Sequence, residues 1–134
     1  MREIKFRAWD KKNNEWFDDE GGDLWVRLNG DIDFGWNGEL MDDYTDRIIL
    51  MQYTGKKDIN DVEIYEGDIV HDDEVIYLVG FGVFTDDNDF QEPTQSQTGF
   101  YIVDIHTDET FPFYSMRYRV IGNAYENKDL LEEV

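Results

Sequence analysis

Cysteine is absent from the 134 residues. That excludes a disulfide framework, a thiolate zinc site and a cysteine nucleophile, and it suits a reducing compartment. Long apolar runs are missing too. The longest, 48–51 and 75–79, have four and five residues, against the roughly 20 that carry a helix across a bilayer. The opening Met1-Arg2-Glu3-Ile4-Lys5 alternates charge and has no apolar signal core. The expectation is a cytoplasmic protein with no membrane partner.

Positive charge is scarce and uneven. Twelve Lys and Arg stand against 32 Asp and Glu, a net charge of −20. Residues 58–116 hold fifteen acids and no Lys or Arg. A field of that sign repels phosphate backbones, so direct nucleic-acid binding is disfavoured and a basic partner is favoured. Serine occurs only as Ser96 and Ser115, neither in a Gly-x-Ser-x-Gly turn. Gly80-x-Gly82 lacks the third glycine and the helix of a phosphate-binding loop.

Aromatic residues are plentiful, at 16% of the chain, so a short chain can still bury a stable core. Residues 3–9 alternate, with Ile4, Phe6 and Ala8 on one face and Lys5, Arg7 and Trp9 on the other, as in a half-buried strand. Residues 10–14 read as a turn and 15–17 as a return strand. Residues 24–28 and 31–36 read as a hairpin closed by Asn29-Gly30, and Gly35 marks a bulge or a close backbone approach. Residues 37–46 read as a polar connection with one helical turn from Glu39. Residues 47–53 are apolar on both faces, as in a central strand, and Thr54-Gly55 is predicted to end it.

Asn60-Asp61 can close a tight turn, and Glu66-Gly67-Asp68 a second, with the aspartate accepting backbone N–H groups. Residues 75–84 form a long strand that Gly80 and Gly82 allow to bend. Residues 85–98 read as a long loop or a tip extending from two strands, and 99–106 as the partner strand. A turn at 107–110, an aromatic segment at 111–116 and a last strand at 117–121 follow. Asn127 is placed to cap a short terminal helix carrying Leu130 and Leu131. Patterning alone gives an all-β fold with a short C-terminal helix.

Three blocks carry a family resemblance. The first is residues 1–10. The second, 52–70, reads Gln-Tyr-Thr-Gly-Lys-Lys-Asp-Ile-Asn-Asp-Val-Glu-Ile-Tyr-Glu-Gly-Asp-Ile-Val. The third is 121–127 with Leu130-Leu131. In order and spacing they resemble the YopX family, small proteins encoded by phages and prophages of Gram-positive bacteria. The chain departs from the family's usual pattern at Lys56, Asp61 and Lys128. The resemblance implies a β-rich fold whose C-terminal half is a small SH3-like barrel beginning near Glu66, and it brings no activity with it. One domain over 1–134 is expected, with possible lobes 1–61 and 62–134.

The signature segment supplies the candidate binding residues Tyr53, Lys57, Asp58, Tyr65, Glu66 and Asp68. Tyr53, Tyr65, Phe81, Tyr101, Phe113 and Tyr118 can form either an open stacking groove or core and cross-strand pairs. His71 and His106 each have acids nearby in sequence, which a hydrolytic or metal-dependent enzyme could use. Without a fixed ligand spacing, the surface-histidine reading prevails. Asp86-Asp87-Asn88-Asp89 starts like a calcium loop, but its fifth position is Phe90 and its sixth is Gln91, which breaks the pattern. No metal and no cofactor are expected.

The leading functional expectation is a non-enzymatic phage or prophage accessory protein that binds a protein partner or self-associates through strand edges. An acidic decoy that imitates DNA and occupies a basic host protein is the alternative. It requires carboxylates in a row along one face.

Overall fold

The computed structural model describes residues 3–18, 22–85, 96–113 and 117–132. The predicted calcium-like run at 86–89, Ser115 and the first two residues lie outside these. Among the described residues the fold is mostly β-sheet with one short helix. The chain divides into two compact units, Phe6–Met51 and Met1–Lys5 with Gln52–Val134. The lobe division expected at 61/62 falls instead at 51/52, so the signature segment belongs with the C-terminal half.

In the unit Phe6–Met51, β1 (Phe6–Asp10) pairs antiparallel with β2 (Glu15–Trp16), and Trp9 stands opposite Trp16. Of the two faces of the opening segment, the one with Lys5, Arg7 and Trp9 is the more buried. Ile4 and Phe6 are 63% and 54% exposed, while Trp9 is buried. Ring and cation packing outweighs simple alternation here. Trp9 meets Trp16 edge-on at 5.0 Å, and the Arg7 guanidinium lies over Trp16 at 4.6 Å.

The same unit holds a three-stranded meander of β3 (Asp23–Val26), β4 (Ile32–Trp36) and β5 (Glu39–Asp43). The first hairpin has a longer turn than the two residues predicted. Arg27 N–H reaches Asp31 O at 2.8 Å, and Gly30 at φ 94° finishes the turn. The second hairpin replaces the polar connection expected at 37–46. Asn37 and Gly38 both have positive φ, 54° and 81°, the geometry of a tight two-residue turn that matches strand twist. The predicted irregularity at Gly35 is present. The β4–β5 register shifts between Phe34 and Gly35, and a Cβ on Gly35 would lie 2.9 Å from Glu39 O.

β6 (Ile48–Lys57) gives its first residues to this unit and the rest to the other. Thr54-Gly55 does not end the strand, contrary to expectation. Gly55 takes φ 85°, and the pairing with β7 (Glu63–Tyr65) shifts between Tyr53 and Lys57. The Thr54 hydroxyl bridges the irregularity by donating to Ile64 O at 2.7 Å and accepting Lys56 N–H at 3.2 Å. A bulge therefore absorbs what looked like a break.

The second unit is built on a five-stranded antiparallel sheet that curls into a half-barrel, beginning close to Glu66 as the resemblance implies. Its strands are β8 (Asp68–His71), β9 (Ile76–Thr85), β10 (Ser96–Asp104), β11 (Thr110–Pro112) and β12 (Arg119–Asn123), in the order β11-β10-β9-β8-β12. Ile64, Val70, Val79, Ile102 and Tyr118 form the core, with Tyr77, Phe111, Phe113 and Val120 packed against it. Pairing of β9 with β10 runs to Thr85 and Ser96, so the tip reading holds for these two positions. Gly80 stands opposite Tyr101, and a Cβ there would come within 2.5 Å of the Tyr101 ring. Helix α1 (Lys128–Glu132) follows the last strand. Asn127 precedes it as predicted, but its Oδ1 accepts Asn123 N–H at 3.1 Å and so closes the turn ahead of the helix.

Candidate functional site

Of the six candidate residues of the signature segment, Tyr53, Tyr65 and Asp68 are joined by contact, while Asp58, Glu66 and Lys57 bond to other residues. Glu66 and Gln52 exchange two hydrogen bonds: Gln52 N–H donates to Glu66 Oε1 at 2.7 Å, and Glu66 N–H donates to Gln52 O at 3.0 Å. Tyr53 is buried, tilted against Tyr65 at 5.4 Å, with the Lys5 ammonium 5.5 Å from its ring. Lys5 also pairs with Glu63, which holds that carboxyl below its ordinary value. Asp68 is buried and accepts Tyr65 N–H at 2.8 Å across the Gly67 turn, as predicted. Lys57 lies 3.6 Å from Asp61 at the surface.

Asp58 accepts three backbone N–H groups. Its Oδ1 accepts Asn60 N–H at 2.8 Å and Val62 N–H at 2.9 Å, and its Oδ2 accepts Val120 N–H at 2.9 Å. Burial pushes the carboxyl up, but the three N–H donors outweigh it and hold it below its ordinary value. One carboxylate thus closes the turn at 58–62, where Asp61 takes φ 67°, and fastens that turn to β12.

Of the two readings of the aromatic residues, the structure shows pairs: Tyr53 with Tyr65, Phe81 with Phe100, Phe84 with Tyr101, and Phe113 with Tyr118. Cross-strand and core packing accounts for them. His71 ends β8, and its Nδ1 accepts Asp73 N–H at 3.3 Å. His106 is exposed in the turn after β10, with its backbone N–H donating to Asp104 Oδ1 at 2.9 Å. Among the described residues no three His, Asp or Glu side chains are grouped to hold a metal ion. Several of the acids in 58–116 turn onto backbone N–H groups, Asp58, Asp68, Asp72 and Asp104 among them.

A cleft that sequence reading missed lies in the unit Phe6–Met51. It encloses about 510 Å³, and Trp16, Phe17, Phe34 and Tyr44 supply its rings. Phe34 and Tyr44 stack at 4.8 Å with an interplanar angle of 11°, and Phe17 meets Phe34 edge-on at 6.2 Å. The Arg47 guanidinium lies 4.3 Å from the Tyr44 ring centre and grips Asp10 with two hydrogen bonds, 2.8 and 2.6 Å. That guanidinium holds the buried Asp10 carboxyl below its ordinary value; burial opposes it, and the N–H groups of Asn13 and Lys12 add to it. Glu15 and Asp18 are exposed in the lining. The aromatic residues come from β2, the residue after it, β4 and the turn after β5, so no short motif signals the cleft. A smaller cleft of about 390 Å³ shares Arg47 and is lined by Lys11, Lys12, Asp43 and Asp46.

Comparison with known proteins adds fold and family. A family model described as YopX protein matches residues 5–132. The chain is similar to the X-ray crystal structure of protein yopX from Bacillus subtilis, with 23% identity, a TM-score of 0.51, and 100% of this chain and 99% of that chain covered. It is also similar to the crystal structure of protein EF1440 from Enterococcus faecalis, with 23% identity, a TM-score of 0.44, and coverage of 98% and 99%. No curated protein matches the chain.

Proposed function

The chain belongs to the YopX family, and from that premise we propose that it is a non-enzymatic phage or prophage accessory protein that binds another protein in the bacterial cytoplasm. The observation that carries this reading is the meander β3–β5. Trp36, Leu40 and Met41 are 47%, 54% and 60% exposed, and Trp25, Val26 and Leu28 are exposed with them. The register places Trp25 and Leu40 on one face of the meander and Val26 and Trp36 on the other, and exposed apolar side chains that share a face mark a place where another protein packs.

Register identifies the partner's chemistry. Trp25, Gly35 and Leu40 share one face of the meander with Asp23, Asp33 and Asp43. The Trp25 ring lies 3.4 Å from where a Gly35 Cβ would be. Arg27 pairs with Asp33 and offsets one of the three acids. An apolar centre with acidic surroundings, on a chain of net charge −20, fits a partner presenting apolar side chains flanked by Lys and Arg.

The test places a photo-crosslinking residue at Met41, and separately at Glu109 as a control, and crosslinks in the native host. The expected result is one basic protein joined from position 41 only, and lost in Leu40→Asp. Equal crosslinking from both positions, capture unaffected by Leu40→Asp, or a crosslink only to a second copy of this chain overturns the proposal.

A further inference from the structure

We propose that the Asn37-Gly38 turn between β4 and β5 is a site of spontaneous covalent modification, where asparagine converts to aspartate and isoaspartate. The other Asn-Gly pair of the same meander, Asn29-Gly30, is protected from it. The inference lies outside the protein-binding reading and holds whether or not a partner packs on the meander. The only co-reactant is water. The Gly38 amide nitrogen gives up its proton and attacks Asn37 Cγ. A C–N bond forms, closing a succinimide ring, and the bond from Cγ to the side-chain nitrogen breaks. That nitrogen leaves as ammonia with the proton the amide gave up. Water then opens the ring at Cγ to give aspartate, or at the backbone carbonyl to give isoaspartate. Glycine in second place favours the attack, since no Cβ crowds its nitrogen.

The two turns treat this reaction differently. Asn37 and Gly38 are exposed, and a Cβ on Gly38 would meet nothing within 4 Å. Among the described residues neither the Asn37 amide nor the Gly38 N–H has a hydrogen-bond partner. At Asn29-Gly30 both reacting groups are tied. Gly30 N–H donates to Arg27 O at 2.9 Å, which holds the nitrogen that would attack. Asn29 Oδ1 accepts Asp31 N–H at 3.0 Å, and its Nδ2 donates to Asp31 Oδ2 at 3.1 Å, which tethers the group to be attacked. The Arg27–Asp33 ion pair at 2.6 Å braces the strands that this turn joins. Attack at Asn37 also needs its positive φ of 54° and the turn around it to relax. β5 is exposed along its whole length, and its side-chain anchor, Asp43 with Thr45, lies at the far end of the strand. Hairpin ends held so lightly open at little cost. The product adds one negative charge and, as isoaspartate, one more backbone carbon to a two-residue turn.

The experiment incubates the full chain in mildly alkaline buffer, folded and in urea, and follows both sites by peptide mass spectrometry. Amide-to-acid conversion is read from the mass gain, and isoaspartate from enzymatic methylation of its free carboxyl. In the folded chain Asn37 is expected to convert about tenfold faster than Asn29, the factor for freeing a hydrogen-bonded group before it can react. In urea, where neither turn persists, the two rates should converge. Asp31→Ala, an exposed substitution, removes the side-chain tether and should speed conversion at Asn29 while leaving Asn37 as it was. Equal rates in the folded chain, faster conversion at Asn29, a difference that persists in urea, or an Asn29 rate unmoved by Asp31→Ala overturns the proposal.

Discussion

Replacing Asp58 with asparagine keeps the side chain's shape and removes one of its three accepted hydrogen bonds. A carboxylate accepts from residues 60, 62 and 120 at once; an amide offers one oxygen and one NH2 group. With the oxygen kept toward Asn60 and Val62, the amide nitrogen faces Val120 N–H donor to donor. A lost charge-assisted bond and an unmet donor together cost about 2–3 kcal/mol. At about 3–5 °C of Tm per kcal/mol for a chain of this size, D58N melts roughly 6–15 °C below the parent. D58A loses all three acceptors and costs about 3–5 kcal/mol. The sign with pH follows from the depressed carboxyl. Its contribution is fully present above the unfolded pKa of about 3.9 and is lost as pH falls through the folded value. The asparagine variant has no proton to take up there. Thermal melts followed by circular dichroism at about pH 6 and about pH 3 should show a wide gap between the two proteins that narrows in acid. A gap below about 0.5 kcal/mol at neutral pH, or one that stays constant into acid, refutes the account.

Other substitutions test other joints. Arg47→Met leaves the buried Asp10 carboxylate without its guanidinium and should cost about 2–4 kcal/mol near neutrality. Because Arg47 holds that carboxyl low, urea titrations should show the loss shrinking as pH falls and Asp10 protonates. Gly80→Ala places a methyl against the Tyr101 ring and should destabilise by about 1–3 kcal/mol, with a changed Phe84–Tyr101 signature in near-ultraviolet dichroism. His106→Ala alters an exposed turn side chain and should move stability by less than about 0.5 kcal/mol. Crosslinking from position 41 should be unchanged in it, and a loss of crosslinking would return His106 to consideration as a functional residue.

Local backbone chemistry was the most legible part of the sequence. Asp68 beside Gly67, and Asp61 in its turn, behave as their side chains dictate, because each turn is decided by residues that touch one another. Gly35 announced its bulge for the same reason. What stayed hidden depends on partners distant in the chain. Lys5 is held by Tyr53 and Glu63, and Arg7 by Trp16, so hydropathy alternation alone could not say which face of residues 3–9 is buried. The strand at Glu39–Asp43 is exposed along its whole length and carries no apolar rhythm; only Asn37-Gly38 betrays it. Of the proposed site residues, the signature segment could be placed from its turns, whereas the aromatic cleft draws on residues from 10 to 47 and needs the folded chain to appear.

One unit is assembled from two separated pieces of chain, Met1–Lys5 and Gln52–Val134, with the other unit strung between them. During synthesis Lys5 emerges long before Glu63, its ion-pair partner 58 positions away. The opening piece must wait, exposed, while Phe6–Met51 is made. Order of manufacture and order of assembly therefore differ: the segment that carries Lys5 cannot complete its docking until residue 63 has left the ribosome.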